Sequence, residues 1–199
     1  MMNKVNVYLF DTRKCTLSEL VSFANLSEED LKSLERFRNI EIKKEKLISL
    51  YLKRKYVGEF NFNEHGKPIS GHCYFNISHS RGVVVLAINQ EYEIGVDIEV
   101  IKSADKDLIK YVSNDEELEF IKNEFDFLSI WTNKESLVKC FGTGIKHKIK
   151  SIPALPLNGK KEFEGKAYFS KIIKANDAII SITIQNENDF ECELITETL

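Results

Sequence analysis

The segment that most constrains the fold is the heptapeptide IGVDIEV at Ile94–Val100. Its large apolar side chains fall at every second position, which is the period of a β-strand. Gly95, Asp97 and Glu99 therefore share the other face. Two carboxylates at positions i and i+2 of one face can chelate a hard cation when a third oxygen ligand approaches, and a glycine beside them lets a ligand approach the backbone. An ordinary strand with a solvated acidic face has the same pattern.

Around this segment the chain mixes short strands with a few long helices. Alternating apolar residues predict further strands at 5–10, 74–77, 83–88, 163–173, 178–184 and 190–195. Helical spacing predicts two long helices, from residue 40 to Gly58 and over about 126–141. The pairs Ser27/Asp30 and Ser113/Glu116 have the spacing of helix-capping boxes. Antiparallel hairpins beside separate helices favour the α+β class over a doubly wound parallel sheet.

Composition excludes several classes of function. A net charge of −3 on 199 residues gives no general affinity for nucleic acid or membrane surfaces. The four cysteines are scattered and predict free thiols in a reducing compartment. The apolar N-terminal stretch breaks at Asp11, too early for a signal-peptide core, and the longest purely apolar run, 83–88, is far too short to span a membrane. We therefore expect a cytoplasmic protein.

The helix that carries WTNKESLVKCFGTG holds a lysine in an unusual place. Lys134 falls inside an apolar arc, where an ammonium needs either a partner or a route to water. We expect it to turn inward and pair with Asp97 or Glu99, and snorkelling is the alternative. Glu135 and Lys139 lie one turn apart on the flank of the arc, the spacing of an ordinary helix salt bridge. The arc consists of Phe127, Ile130, Trp131, Leu137, Val138 and Phe141.

Two further segments could bind phosphate. FNISHS places His79 between Ser78 and Ser80 at the end of a strand, and these side chains can hydrogen-bond phosphate oxygens. A histidine with a purely structural role is the alternative. The other segment, 43–55, is crowded with lysine and arginine, which is equally typical of a solvated helix face. Its basic residues are Lys43, Lys44, Lys46, Lys53, Arg54 and Lys55.

FNISHS, GVDIE and WTNKESLVKCFGTG, in this order, strongly resemble the motifs of the 4'-phosphopantetheinyl transferases. The longer, surfactin-synthetase-like branch of that family is the closer match, and HGKP at 65–68 resembles its Gly-Lys-Pro loop. The resemblance runs from about residue 65 to 144 and is looser over the N-terminal half. Residues 150–199 carry no motif of the family.

The resemblance implies a fold of two similar α/β halves related by a pseudo-twofold axis, with the coenzyme A site between them. Each half would have a small, mainly antiparallel sheet packed against helices. We place the N-terminal half at 1–101, with the Gly-Lys-Pro, histidine and GVDIE motifs, and the C-terminal half at 102–199, with the long helix and the last strands. The resemblance also implies a monomer.

The activity implied is transfer of the 4'-phosphopantetheine arm of coenzyme A to a serine of an apo acyl or peptidyl carrier protein, with release of adenosine 3',5'-bisphosphate. Asp97, Glu99 and Glu135 would hold Mg²⁺, and Glu135 would also take the serine proton. The catalytic set is Glu135, Asp97, Lys139 and His79. The coenzyme A-binding set is Gly66, Lys67, Pro68, Ser78, His79, Ser80, Lys44, Lys46, Lys134 and Lys139.

One position departs from the family pattern. Where related enzymes have an arginine for the 3'-phosphate of coenzyme A, this chain has Glu45, and either Lys44 or Lys46 could substitute for it. Two other functions stay open. One is a magnesium-dependent hydrolase of nucleotide phosphoanhydrides, and the other is a non-catalytic module that binds coenzyme A. The motifs do not identify the carrier protein or its pathway.

Overall fold

The computed structural model describes residues 3–64, 66–142 and 148–199. His65 and Gly144, which belong to the motifs above, lie outside this part of the chain. The helices are α1 Leu17–Ala24, α2 Glu28–Ser33, α3 Ile40–Tyr56, α4 Lys106–Val112, α5 Asp115–Phe120 and α6 Glu124–Phe141, and a 3₁₀ turn spans Ile149–Ser151. The strands are β1 Asn3–Asp11, β2 Asn61–Phe62, β3 Pro68–Ile69, β4 Tyr74–Ser80, β5 Val83–Asn89, β6 Ile94–Val100, β7 Gly159–Phe163, β8 Lys166–Ala175, β9 Ala178–Ile184 and β10 Phe190–Glu197.

The strands form two four-stranded sheets and one small hairpin. Sheet A has the order β10-β1-β5-β4, in which β1 runs parallel to β10 and antiparallel to β5. Sheet C has the order β6-β9-β8-β7 and is antiparallel throughout. The hairpin pairs β2 with β3. Two strands thus pair across the boundary that the sequence suggests after residue 101, because β6 joins sheet C and β10 joins sheet A. The boundary itself stays a prediction.

The sheets pack face to face between two layers of helices. The inner faces of both sheets share one core of small aliphatic side chains, including Val7, Val85, Val96 and Ile182. A second core joins the outer face of sheet A to α1 and α3. A third lies under α6, on the outer face of sheet C. The α+β class predicted from sequence is confirmed.

Most predicted elements are present with shifted ends, and one cap was placed wrongly. The second capping box is Asn114 with Glu117, not Ser113 with Glu116. Ser113 is fully buried ahead of the helix, whereas Asn114 accepts a hydrogen bond from the Glu117 backbone and donates its own N–H to the Glu117 carboxylate. The alternation did not indicate β7 as a separate strand, and α1 was not predicted. In the described part of the chain, no helix has the length and apolarity that a membrane span needs.

Candidate active site

The candidate site lies where the edge strands of the two sheets meet. Strands β4 and β6 do not pair through their backbones, and side chains of β4 bridge the gap. Asn76 accepts a hydrogen bond from the Val96 N–H at 3.0 Å. Ser80 accepts one from the Val100 N–H at 3.4 Å. The polar alternation of FNISHS therefore satisfies backbone donors of β6 that would otherwise be unpaired in a buried place.

The same strand contacts both carboxylates of β6. Ser78 Oγ donates to Asp97 Oδ1 at 2.8 Å, and Ser80 Oγ donates to Glu99 Oε2 at 2.7 Å. Because the side chains of a strand alternate between its faces, Ser78 and Ser80 share one face of β4, and Asp97 and Glu99 share one face of β6. Ser78 and Ser80, which we expected to bind phosphate, thus hydrogen-bond to two of the carboxylates expected to hold a metal ion.

Helix α6 packs on β6 and covers the candidate site. Its two ends are capped. Asn123 caps its N-terminus by accepting from the Asp126 N–H, and Gly142 ends it in the left-handed conformation with φ 86°. Gly95 lets the helix lie directly on β6, since a Cβ atom there would overlap with backbone atoms of Ser136 and Cys140. The space beside this glycine is therefore filled by α6, and our expectation that a ligand approaches the backbone there was wrong.

Asp97 is almost completely buried and holds an incomplete set of partners. Lys139 Nζ of α6 contacts its Oδ1 at 2.6 Å, beside the hydroxyl of Ser78. The other carboxylate oxygen, Oδ2, is buried without a hydrogen-bond partner. Burial raises the pKa of Asp97, and the charge of Lys139 opposes that rise. A buried oxygen with free lone pairs is costly unless a ligand uses it.

Glu135 lies one turn before Lys139 on the same flank of α6. Burial raises its pKa first, the negative charge of Asp97 raises it further, and Lys139 acts in the opposite direction. The charge of Glu99 also contributes to the rise. The three carboxylates proposed for magnesium are thus within electrostatic reach of one another. Within the described ranges, however, no group of three or more His, Cys, Asp or Glu side chains is placed so that it could hold a metal ion.

The structure agrees with the predicted inward direction of the Lys134 side chain and contradicts its predicted partner. Its ammonium does turn inward, but its partner is Glu117 of α5 at 2.7 Å, and not Asp97 or Glu99. The carbonyl oxygens of Val112 and Ile149 accept from the same ammonium at 3.0 Å each. With 0% exposure and three acceptors, Lys134 has no donor left for coenzyme A. We missed this partner because Glu117 comes from α5, and sequence spacing alone does not reveal which element packs against Lys134.

A basic pocket of about 670 Å³ opens beside His79. Lys46 and Lys53 of α3 lie on its wall, together with Phe60 and Phe62. Burial and the charge of Lys46 lower the pKa of Lys53 to about 8. Its ammonium lies 4.4 Å from the centre of the Phe60 ring. The full lining is Asp30, Ser33, Leu34, Arg36, Phe37, Lys46, Ser49, Leu50, Lys53, Arg54, Phe60, Phe62, Ile77 and His79.

The pocket and the carboxylate site share one wall. His79 lies in the pocket, and its neighbours Ser78 and Ser80 point from the same strand toward Asp97 and Glu99. The positive charge of Lys139 also lowers the pKa of His79, after burial and Lys46. Because neighbouring side chains of a strand point to opposite faces, the pocket and the carboxylates lie on the two faces of β4, the edge strand of sheet A.

The two lysines that flank Glu45 face different surroundings. Lys46 Nζ lies 2.8 Å from His79 Nε2 and lines the pocket. Lys44 is buried elsewhere, with its ammonium 2.8 Å from Glu41 and 3.2 Å from the Cys15 carbonyl oxygen. Of the two predicted phosphate ligands, only Lys46 lines the pocket.

The Gly-Lys-Pro loop contacts the end of α6. Lys67 Nζ pairs with Glu93 at 2.6 Å and donates to the carbonyl oxygen of Cys140 at 3.3 Å, which places a cation at the negative end of the helix. Gly66 has a φ of 77°, and Pro68 begins β3. Lys67 and Pro68 line a separate pocket of about 170 Å³. The predicted contacts of this loop with the nucleotide stay a prediction.

Sequence reasoning missed several residues of the basic pocket. Arg36, Phe60 and Phe62 were not singled out, and Lys53 and Arg54 appeared only as members of a basic stretch. A period of 3–4 residues connects Lys46, Ser49, Lys53 and one face of α3, which is the signal that could have selected them. The aromatic residues come from the β2 region, and no spacing rule connects them to α3.

These features define a class of protein: an α+β fold in which a buried carboxylate–lysine cluster adjoins a basic pocket. The model of the 4'-phosphopantetheinyl transferase superfamily matches residues 93–189, a segment that includes β6 and α6. This match agrees with the family that the motifs resemble.

Curated relatives agree with the family model. The 4'-phosphopantetheinyl transferase gsp of Aneurinibacillus migulanus is 30% identical in an alignment of length 145 that covers 64% of this chain and 61% of that protein. The 4'-phosphopantetheinyl transferase psf-1 of Bacillus pumilus is 29% identical over 65% of this chain and 63% of its own length. The 4'-phosphopantetheinyl transferase HetI of Nostoc sp. is 27% identical over 61% and 62%. The chain thus spans less than two thirds of these relatives. Together, the comparisons support the superfamily that the motifs predicted.

Proposed function

We propose that this protein transfers the 4'-phosphopantetheine arm of coenzyme A to a serine of an apo acyl or peptidyl carrier protein, with release of adenosine 3',5'-bisphosphate. The observation that carries the proposal is the meeting of the Asp97–Lys139 cluster with the basic pocket beside His79, in a chain similar to transferases of this name. Coenzyme A has a nucleotide end with a 3'-phosphate and a pyrophosphate that links it to the arm. The basic pocket matches the negative charge of the nucleotide end, and Lys139 together with a cation held by the carboxylates would match the pyrophosphate.

The nucleotide end fits the basic pocket. Lys46 and Lys53 supply cations at its wall, and His79 faces the same space. Phe60 and Phe62 offer aromatic faces next to these cations, and bases stack on such faces with a gain of about 1–3 kcal/mol each. We assign to Lys46 the contact with the 3'-phosphate that related enzymes make through an arginine.

Carboxylate oxygens are chemically suited to bind a hard divalent cation. Asp97 has a buried oxygen without a partner, and the mutual repulsion of Asp97, Glu99 and Glu135 would be relieved by a positive ion. In this structure the three side chains, all in the described part of the chain, are not placed so that they could hold a metal ion. We propose that they turn toward Mg²⁺ when it binds, since this ion prefers oxygen ligands and few carboxylates. When bound, such an ion supplies charge neutralisation at phosphate oxygens.

The remaining steps belong to the protein's own side chains. Lys139 donates to Asp97 and offers positive charge beside the position of the pyrophosphate. Burial and two neighbouring carboxylates raise the pKa of Glu135, which makes it a better proton acceptor than an ordinary glutamate. We assign it the proton of the acceptor serine. The covering helix α6 keeps Glu135 and Lys139 on one flank, one turn apart.

The finer architecture also belongs to the proposal. We propose that the chain is of the longer branch of the superfamily, that its two halves are similar and related by a pseudo-twofold axis, and that it acts as a monomer in the cytoplasm. Two four-stranded sheets, each covered by helices on its outer face, support the two-half organisation.

The test is intact-mass spectrometry of apo carrier proteins incubated with this protein, coenzyme A and Mg²⁺. A gain of about 340 Da, the mass of the phosphopantetheine arm on a serine, is expected. Fatty-acid, polyketide and peptide carriers should be assayed in parallel with a Glu135→Gln variant, which keeps its volume and loses its charge. Unmodified carriers together with hydrolysis of nucleotides would favour the hydrolase. Coenzyme A binding without any transfer would favour the non-catalytic module.

A further inference from the structure

Glu45 occupies an unusual position for a carboxylate beside a phosphate pocket. It is buried on α3, and its Oε2 lies 2.9 Å from His79 Nδ1. Its Oε1 accepts a hydrogen bond from the Gly82 N–H at 2.6 Å, which anchors it to the turn between β4 and β5. On the other side of the imidazole, Lys46 Nζ lies 2.8 Å from Nε2. The ring of His79 is therefore held between an anion and a cation.

This arrangement selects one tautomer of the histidine. A lysine ammonium has only donors, so Nε2 must accept from Lys46. Nδ1 then carries the proton and donates it to Glu45. Burial lowers the pKa of His79, and the charges of Lys46 and Lys139 lower it further, while Glu45 opposes them. The free pocket thus contains a neutral His79 whose lone pair faces Lys46.

We propose that Glu45 positions His79 so that binding of a phosphate dianion in the basic pocket takes up one proton at Nε2. A neutral imidazole presents an acceptor to the phosphate oxygens, and two acceptors repel each other. A proton from solvent converts Nε2 into a donor, and the carboxylate of Glu45 balances the resulting imidazolium charge. This inference rests on the proposed function, because it requires a phosphate group beside His79.

Of the other charged groups in the pocket, Lys53 also titrates near the pH of the experiment, because burial lowers its pKa to about 8. The uptake assigned to His79 is therefore the part that is lost when Glu45 is neutralised. Lys46 has a single ammonium that must turn from Nε2 to the phosphate. Arg54 is paired with Asp30 at 2.9 Å. Arg36 and Lys53 line the pocket on the side of α3 and the chain before it, and Lys139 reaches His79 from α6 only through its charge.

The experiment is isothermal titration of the whole protein with adenosine 3',5'-bisphosphate in buffers of equal pH and different ionisation enthalpy. The dependence of the observed heat on the buffer gives the number of protons taken up. Above about pH 7 the phosphate monoester is already a dianion, so its own titration contributes little. We expect an uptake approaching about one proton per site there, and an affinity that falls up to about tenfold per pH unit. Adenosine 5'-phosphate, which lacks the 3'-phosphate, is the comparison ligand.

Two variants separate Glu45 from general charge effects. Glu45→Gln keeps an acceptor for Nδ1–H and loses the balancing charge, so proton uptake at His79 should disappear and affinity should fall about tenfold near pH 8. Glu41→Gln is the matched control, with the same change on the same helix at an exposed residue that pairs with Lys44. It should behave as wild type.

The outcomes distinguish the two claims. Buffer-dependent heat in wild type and in Glu41→Gln, lost in Glu45→Gln, supports the inference. A wild type that modifies a carrier protein and binds the bisphosphate with buffer-independent heat overturns the inference and leaves the proposed function intact. Failure of the wild type to bind the bisphosphate or modify any carrier overturns both. Buffer-independent heat in wild type overturns the inference whether or not the Glu45 variant folds, and uptake that persists undiminished in a folded Glu45→Gln variant overturns the role of Glu45.

Discussion

Helix α6 carries two lysines five residues apart, Lys134 and Lys139, and each pairs with a carboxylate of another element. The two pairs differ in burial and in how many of their hydrogen-bonding groups have partners. Lys134 and Glu117 are 0% and 1% exposed, and the remaining donors of the ammonium reach two backbone carbonyl oxygens. Lys139 and Asp97 are 28% and 8% exposed, and Asp97 keeps one oxygen without a partner. The first pair is complete and needs nothing else. The second is incomplete, and an incomplete buried pair stores free energy that a ligand can release.

The largest effect should come from breaking the complete pair. Lys134→Met leaves Glu117 charged, buried and without its ammonium, which should lower the free energy of unfolding by about 3–5 kcal/mol. Chemical denaturation measures this change. Transfer activity per folded molecule should persist, because Lys134 has no donor free for the substrate.

Its control is the double variant Lys134→Met/Glu117→Gln, which removes both charges. Part of the lost stability should return, since no unpaired charge is left. Equal stability of the single and double variants would mean that the Lys134–Glu117 pair stabilises the fold only through packing. The contrast drawn above between this pair and the Lys139–Asp97 pair would then be wrong.

The reverse pattern is expected at the incomplete pair. Asp97→Asn should reduce transfer by about 10²–10³-fold, because the proposed metal site loses a charge and an oxygen ligand. Burial raises the pKa of Asp97, so its ionised form opposes folding and that cost grows as pH rises through the folded pKa. At neutral pH the variant should therefore be as stable as wild type or more stable, by up to about 1 kcal/mol.

Steady-state transfer assays and denaturation curves of the same preparation check both parts. Below the pKa of an unperturbed aspartate the stability difference from wild type should vanish, since both side chains are then neutral. A variant that retains normal magnesium-dependent transfer would remove Asp97 from the site.

The smallest effect concerns the spacing between α6 and β6. Gly95→Ala introduces a methyl group that meets the backbone of Ser136 and Cys140, and the helix must shift to accommodate it. Such overpacking costs about 1–3 kcal/mol. Because the shift moves Glu135 and Lys139 relative to Asp97, kcat should fall more than the affinity for coenzyme A changes. Gly71→Ala, at a site with open space, is the matched control.

The sequence alone determined much of the local structure and selected most residues of the candidate site. Period-two alternation located β6 and the shared face of Asp97 and Glu99, and the order of three motifs indicated the superfamily that the comparisons support. Helical spacing placed Glu135 and Lys139 on one flank. These are properties of neighbours along the chain, which backbone geometry fixes within one element.

Tertiary structure decided every partner that comes from elsewhere in the chain. The ammonium of Lys134 and the carboxylate of Glu117 are 17 positions apart in sequence, and β10 joins β1 across almost the whole chain. The basic pocket likewise needs α3, β4 and the β2 region together. A buried charge must find the partner that packing brings to it, and periodicity within one helix or strand contains no information about which element that is.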